Sequence, residues 1–404
     1  MANFEAHFAG FHPLQSDQDA SPEALMLARS RAALSWGRLQ GLVAHLEPGV
    51  AHLLAASVIH AQLGEALLQA GHAGAAAQFD LWFCGLAAAP TEGPHVFARP
   101  WAIADAILAE LSLARWEPIA RVAQQLREAG VPDHGPDHGC VGPADALSPR
   151  DAIALAAKLA SEAGPHGERY WPLAAIDHLH AQAAASAEFA PTEPDQRPLD
   201  FPGGPIALAQ PRARTPLWAI DLAAGQALSG STPGIVPLPC PGALRAEALA
   251  PWLWPHERGI LVAEALTTCA QRLARLVEQA RTSHRHMTCA LADMRSNSRA
   301  PMLYTLLAGF GPLRPGQIER ALHLSKNGAR ELFKSLKSSG IADIERHRGQ
   351  VLIRACLADG KGHETDPGPD LSPVLSAESL AEFDEAMADI DRLLARSNAS
   401  PANE

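Results

Sequence analysis

The chain has 404 residues, a hydrophobic fraction of 47% and a net charge of −11, which allows two or three domains with sizeable cores and excludes a generic polyanion binder. Aromatic residues make up only 5%; the apolar content is mostly alanine and leucine, strong helix formers, so the expected fold class is mainly α. Six scattered cysteines with no CxxC pair, an N-terminus (MANFEAHFAG) with no basic or apolar leader, and no uncharged apolar run of about 18 residues set the expectation of a reduced, cytoplasmic chain with no signal peptide and no membrane span.

In chain order, residues 1–20 read as a flexible tail and 21–130 as a helical domain. Ser21-Pro22-Glu23 is a helix start. Leu27, Leu34, Leu39, Leu42 and Leu46 recur near helical spacing until Glu47-Pro48-Gly49. A second helix runs through Leu53, Val58, Leu63 and Leu67 and stops at Gly71, and further helices are predicted near 75–88, 101–115 and 116–129. Residues 131–149, VPDHGPDHGCVGPADALSP, form a Pro/Gly loop. The stretch 150–258 combines helices near 150–163 and 171–188 with a segment from Pro191 to Pro255 that holds thirteen of the 33 prolines. Irregular chain with one short helix is expected there. From 259 to 296 the pattern becomes a long helix. Leu266, Ala270, Leu273, Val277, Ala280, His284, Met287, Leu291 and Met294 alternate four and three apart, the seam of a helix packed on a partner in this chain or in a homodimer.

Residues 297–358 differ in charge. Between Arg295 and Cys356 eleven Lys/Arg face four Asp/Glu, a local +7, and three of the chain's five lysines lie on one short stretch, LHLSKNGARELFKSLKSSG. A short helix is predicted from Pro301 to Phe310 and another from Arg314-Pro315-Gly316. A third is capped by Ser325, with Ala329, Leu332, Phe333 and Leu336 as its buried stripe. Ser339-Gly340 ends it, Ile341 to Arg346 alternates as a strand, His347-Arg348-Gly349 turns, and Gln350 to Ala355 returns. A linker (359–375) and an acidic amphipathic helix (376–397) follow, the helix carrying Leu380, Phe383, Met387, Ile390 and Leu394 on one side.

Three short helices and a hairpin, with the run L-S-x-x-x-A-R-x-x-x-x-x-L-x-x-x-G-I, resemble the winged helix-turn-helix superfamily over about 60 residues. The resemblance implies a C-terminal winged helix with a small β-hairpin wing, whose third helix reads the major groove of double-stranded DNA. Lys326, Asn327 and Arg330 would then reach base edges, where paired donors and acceptors discriminate bases. Lys334, Lys337, Arg346 and Arg348 would hold phosphates, and Ser325 would cap the helix and donate to a phosphate. The remainder is only loosely similar to helical domains that precede a helix-turn-helix in uncharacterised bacterial proteins, and no residues carry over.

Other patterns are weaker. Asp133, His134, Asp137, His138 and Cys140 include histidines four apart beside a thiol, but no second ligand pair accompanies them and no metal is assigned. Asp177-His178-Leu179-His180 and His284-Arg285-His286 are ordinary helix-surface patterns. Gly309-Phe310-Gly311 lacks the third glycine and preceding strand of a dinucleotide loop, and GxxxxGK[ST], GxSxG and HExxH are missing, so neither a cofactor nor catalysis is indicated. The leading expectation is a bacterial transcriptional regulator that binds DNA, with effector or protein partner unassigned. A replicon-maintenance or protein–protein adaptor using the same domain, or a helical enzyme without a readable motif, remains open.

Overall fold

The apolar second helix sets the architecture. In the computed structural model, which describes residues 22–87, 96–130, 147–163, 174–190, 195–201, 204–210, 214–231, 236–250, 253–292 and 298–357, α2 (Pro48–Gln69) is buried on most of its circumference, from Val50 through Leu67. A helix that is apolar all round needs neighbours on every side. α2 is long and apolar enough to cross a membrane, yet 72% of its apolar stretch is buried inside the protein. The core is therefore where its apolar surface goes.

The neighbours of α2 come from the whole chain. α1 (Pro22–Val43) precedes it, and two short helices, α3 (Ala73–Ala77) and α4 (Phe79–Phe83), follow the stop at Gly71. α5 (Pro100–Leu111) and α6 (Glu117–Ala129) pack on α2 and on each other. α7 (Pro149–Glu162), capped by Ser148 accepting from Asp151 N, and α8 (Ala174–Ala185) pack together. The proline-rich stretch holds more regular structure than its composition suggests. It forms a hairpin, β1 (Asp195–Phe201) with β2 (Gly204–Gln210), then the 15-residue helix α9 (Leu217–Ser231), packed on α7, α2 and α8, and a 3-10 turn at Ala246–Leu249.

α10 (Pro255–Ala290) is the long heptad helix. Leu266, Ala270, Leu273, Val277, Ala280 and Met287 are all buried, and the partners of this seam are the chain's own α1 and α2. Gly259 lies against Leu25, and Arg281 donates to Leu42 O at 3.4 Å. The ring of His284 fills the space where a side chain at residue 49 would stand, with Glu47 3.6 Å away. The seam is thus occupied within one chain.

The last described elements are α11 (Ala300–Thr305) with a π turn at Leu306–Phe310, α12 (Pro315–Ala321), α13 (Lys326–Ser338), and a hairpin of β3 (Ala342–His347) with β4 (Gln350–Ala355). Leu313 adds one bridge to this hairpin, exchanging backbone hydrogen bonds with Ile353 at 3.1 and 2.9 Å. The buried residues of α11 to β4 join the same apolar core as those of α1, α2 and α10. The described residues all belong to one compact unit; the tail 1–20, most of the Pro/Gly loop with its PDHG repeat, Met294 of the heptad seam, Arg295, the linker and the stretch 376–397 expected to be an acidic helix lie outside the described residues. The protein is mainly helical, with small antiparallel hairpins.

Candidate functional site

The cationic residues predicted to act together lie on α13 and the hairpin after it. The oxygen of Ser325 accepts from Gly328 N at 3.2 Å, which satisfies one of the free N–H groups of the first turn. Ala329, Phe333 and Leu336 are buried beneath the helix and Leu332 is half-buried. Gly340 ends it with φ 73°. Gly340 N–H donates to Lys337 O at 3.0 Å and Ile341 N–H to Leu336 O at 3.2 Å. This is a Schellman closure in which the buried Ile341 packs back over the last turn.

The turn before α13 closes in the same way. His323 takes φ 49°, His323 N–H donates to Arg320 O at 3.2 Å and Leu324 N–H to Glu319 O at 2.9 Å. Histidine is among the residues that tolerate this conformation, and the ring of His323 lies 3.1 Å from the carboxylate of Glu128 on α6. β3 and β4 are joined by two residues, Arg348 and Gly349, both with positive φ (50° and 79°), between the paired His347 and Gln350. That is the backbone of a type I′ turn, matched to strand twist.

Outward from this frame, Lys326, Asn327, Arg330, Glu331, Lys334 and Lys337 are exposed on α13, and Arg346 and Arg348 on the hairpin. At about 100° per residue, the line most distant from the buried stripe is Asn327, Glu331, Lys334 and Ser338. Lys326, Arg330 and Lys337 lie to one side of it. Lys334 Nζ is 2.8 Å from Glu331 Oε1, and Lys337 Nζ is 3.4 Å from Asp343 Oδ1. The N–H of Ile344, and then Lys337, hold the Asp343 carboxyl below its ordinary range. Arg354 pairs with Glu345 at 3.5 Å. Lys326, Arg330, Arg346 and Arg348 make no ion pair among the described residues. Exposed pairs of this kind contribute only about 0–1 kcal/mol, so a stronger anion readily displaces the carboxylate.

Two arginines of the basic segment serve the structure instead. Arg320 donates to Glu128 O, Ala129 O and Gly130 O at 3.3, 2.8 and 2.8 Å, closing the C-terminus of α6, where a cation is favoured. Arg299 donates to Leu322 O and to His323 O, fixing the turn before α13. Gln317, fully buried, donates to Phe83 O at 3.0 Å and accepts from Arg314 N at 3.0 Å. Cys84 donates to Pro312 O at 3.2 Å; burial, then Asp80, pushes its thiol up to about 12, so it is a structural donor and not a nucleophile. Gly309 has a structural reason of its own: a side chain there would meet Leu53 O and Ala56 at 2.7 and 2.6 Å.

The histidine patterns on helices have separate surroundings. Asp177 pairs with Arg29 at 2.7 Å, and burial raises its carboxyl against that arginine. His180 is buried and its imidazole is pushed down to about 4 by burial. His286 lies 3.3 Å from the Tyr304 hydroxyl. Among the described residues no three His, Cys, Asp or Glu side chains are grouped to hold a metal. Glu331 is the residue that reading the basic pattern alone passes over; the same face count that selects Asn327 and Lys334 selects it. No family model and no curated protein matches the chain.

Proposed function

We propose that residues 298–357 are a winged helix-turn-helix through which the chain binds double-stranded DNA, and that the protein is a transcriptional regulator. The observation that carries this reading is α13 itself: a capped, amphipathic helix whose outward side holds Lys326, Asn327, Arg330, Lys334 and Lys337 in a chain with only five lysines. The element order supports it. α11, the Leu313 bridge, α12, a tight turn, α13 and a two-stranded hairpin follow in sequence. In such a domain the N-terminal residues of α13 face base edges and the hairpin faces the backbone. Lys326, Asn327 and Arg330 take the first role. Ser325, Lys334, Lys337, Arg346 and Arg348 take the second, with Lys334 and Lys337 exchanging a carboxylate for a phosphate.

Anchoring by Arg320, Gln317 and Cys84 makes the DNA-facing elements part of the helical body. A change in the body's packing would then move α13 directly. The test is to incubate the full chain with sheared bacterial genomic DNA and sequence what it retains, beside Lys326→Glu/Arg330→Glu. Enrichment of a short shared motif by the wild type, lost in the double variant, is expected. Equal retention by both proteins would remove α13 from the interface.

A further inference from the structure

Glu331 occupies a position that a simple phosphate-gripping helix would not give to an acid. It lies on the outermost line of α13, one turn after Asn327 and directly after Arg330, and its side chain is 73% exposed. Its only described partner is Lys334, whose side chain is 74% exposed at 2.8 Å. If α13 enters a major groove, as the DNA-binding reading requires, a carboxylate here is repelled by the flanking phosphates unless it gains a donor. An ionised carboxylate can only accept hydrogen bonds. The donors on the major-groove edge are the amino groups of cytosine and adenine. Adenine sets its N7 acceptor beside that amino group, which suits an amide such as Asn327 and repels a carboxylate. Cytosine presents the amino group without that acceptor.

We infer that Glu331 is a specificity-determining residue of α13, and that the DNA bound carries a cytosine facing it. In the free protein Lys334 neutralises Glu331. On the duplex, Lys334 turns to a phosphate and Glu331 accepts from cytosine N4. This inference rests on the proposed DNA binding and adds a base preference to it.

The experiment is selection from a pool of randomised duplexes by the full chain, run in parallel with wild type, Glu331→Gln and Glu331→Ala, with thermal unfolding as a control for folding. The wild type is expected to fix cytosine at one position of its site. Glu331→Ala should lose that preference by roughly 5- to 100-fold, the discrimination one good base contact gives, while other positions stay fixed. Glu331→Gln should change the same position towards adenine, which a glutamine amide matches. An unchanged motif in all three proteins, with uniformly tighter retention by the variants, would overturn the inference and leave Glu331 as the counter-ion of Lys334. Retention of no duplex by any of the three would instead overturn the DNA-binding reading, and the inference with it.

Discussion

Arg348 holds a backbone conformation that costs most side chains on the order of 1 kcal/mol or more. At φ 50° in a two-residue hairpin loop, asparagine or glycine would be the ordinary choice. An exposed arginine there, with no ion pair among the described residues, fits a contact outside the protein. Arg348→Gly should therefore raise unfolding stability by about 0.5–1 kcal/mol while weakening DNA binding. Thermal melts and duplex titrations on the same sample check the two directions, and a loss of both would mean that Arg348 serves the hairpin. Arg330 and Lys334 are separated by their partners in the same way. Arg330 has no ion pair among the described residues and Lys334 has Glu331. Arg330→Ala should cost about 1–3 kcal/mol at the preferred site and relax its sequence, whereas Lys334→Ala should weaken all sites alike and lower the salt slope by about 1. Equal, sequence-independent losses in parallel titrations would refute this division of roles.

At the scale of elements, what was legible in the sequence was what is set locally. Ser325 and Gly340 bracket α13, and the spacing of Ala329, Phe333 and Leu336 gives its buried side, because a cap and a stripe need only the chain's own neighbours. The hairpin was legible for the same reason. The Leu313–Ile353 bridge was not, since a single paired residue has no period to detect. α9 was expected only as one short helix in irregular chain because helix-period contrast fades when nearly every side is buried. The hairpin β1–β2 was hidden by prolines, which read as breakers. The seam of α10 was visible from Leu266 to Met287, yet its partner was not, because one heptad pattern serves a neighbouring helix in the same chain as well as a second copy. With Leu273 fully buried between chain segments, Leu273→Glu should unfold the protein instead of splitting a dimer. Circular dichroism and sedimentation together decide: a folded monomer produced from a wild-type dimer would contradict the intrachain packing, and any homodimer must use another surface.

For the whole molecule, the charge is unevenly distributed. The chain is −11 overall, while the segment around α13 is +7, and screening over about 8–10 Å lets that segment act by itself. The helical body holds a strongly shifted acid of its own. Asp221 is fully buried and accepts from Gln69 Nε2, Gly242 N and Leu244 N at 2.7, 2.8 and 2.7 Å. Burial outweighs these donors and pushes its carboxyl up to about 8. A carboxyl raised from its unfolded range near 4 binds a proton more tightly when folded, so its stabilisation is complete below that range. It is lost as pH rises through about 8. The stability difference between wild type and Asp221→Asn, measured by denaturant unfolding at several pH values, should therefore fall between about pH 5 and pH 8. A constant difference would show that Asp221 is already ionised.

The most direct test of the central claim is the salt dependence of duplex binding by the full chain. Fluorescence anisotropy would be recorded with one labelled duplex that carries the selected site, for wild type and for Arg330→Glu, from about 50 to 200 mM salt. Binding through α13 and its hairpin predicts that the logarithm of affinity falls linearly with the logarithm of salt for the wild type, and that Arg330→Glu binds far more weakly at every salt concentration. No binding at the lowest salt, or identical curves for the two proteins, would contradict it.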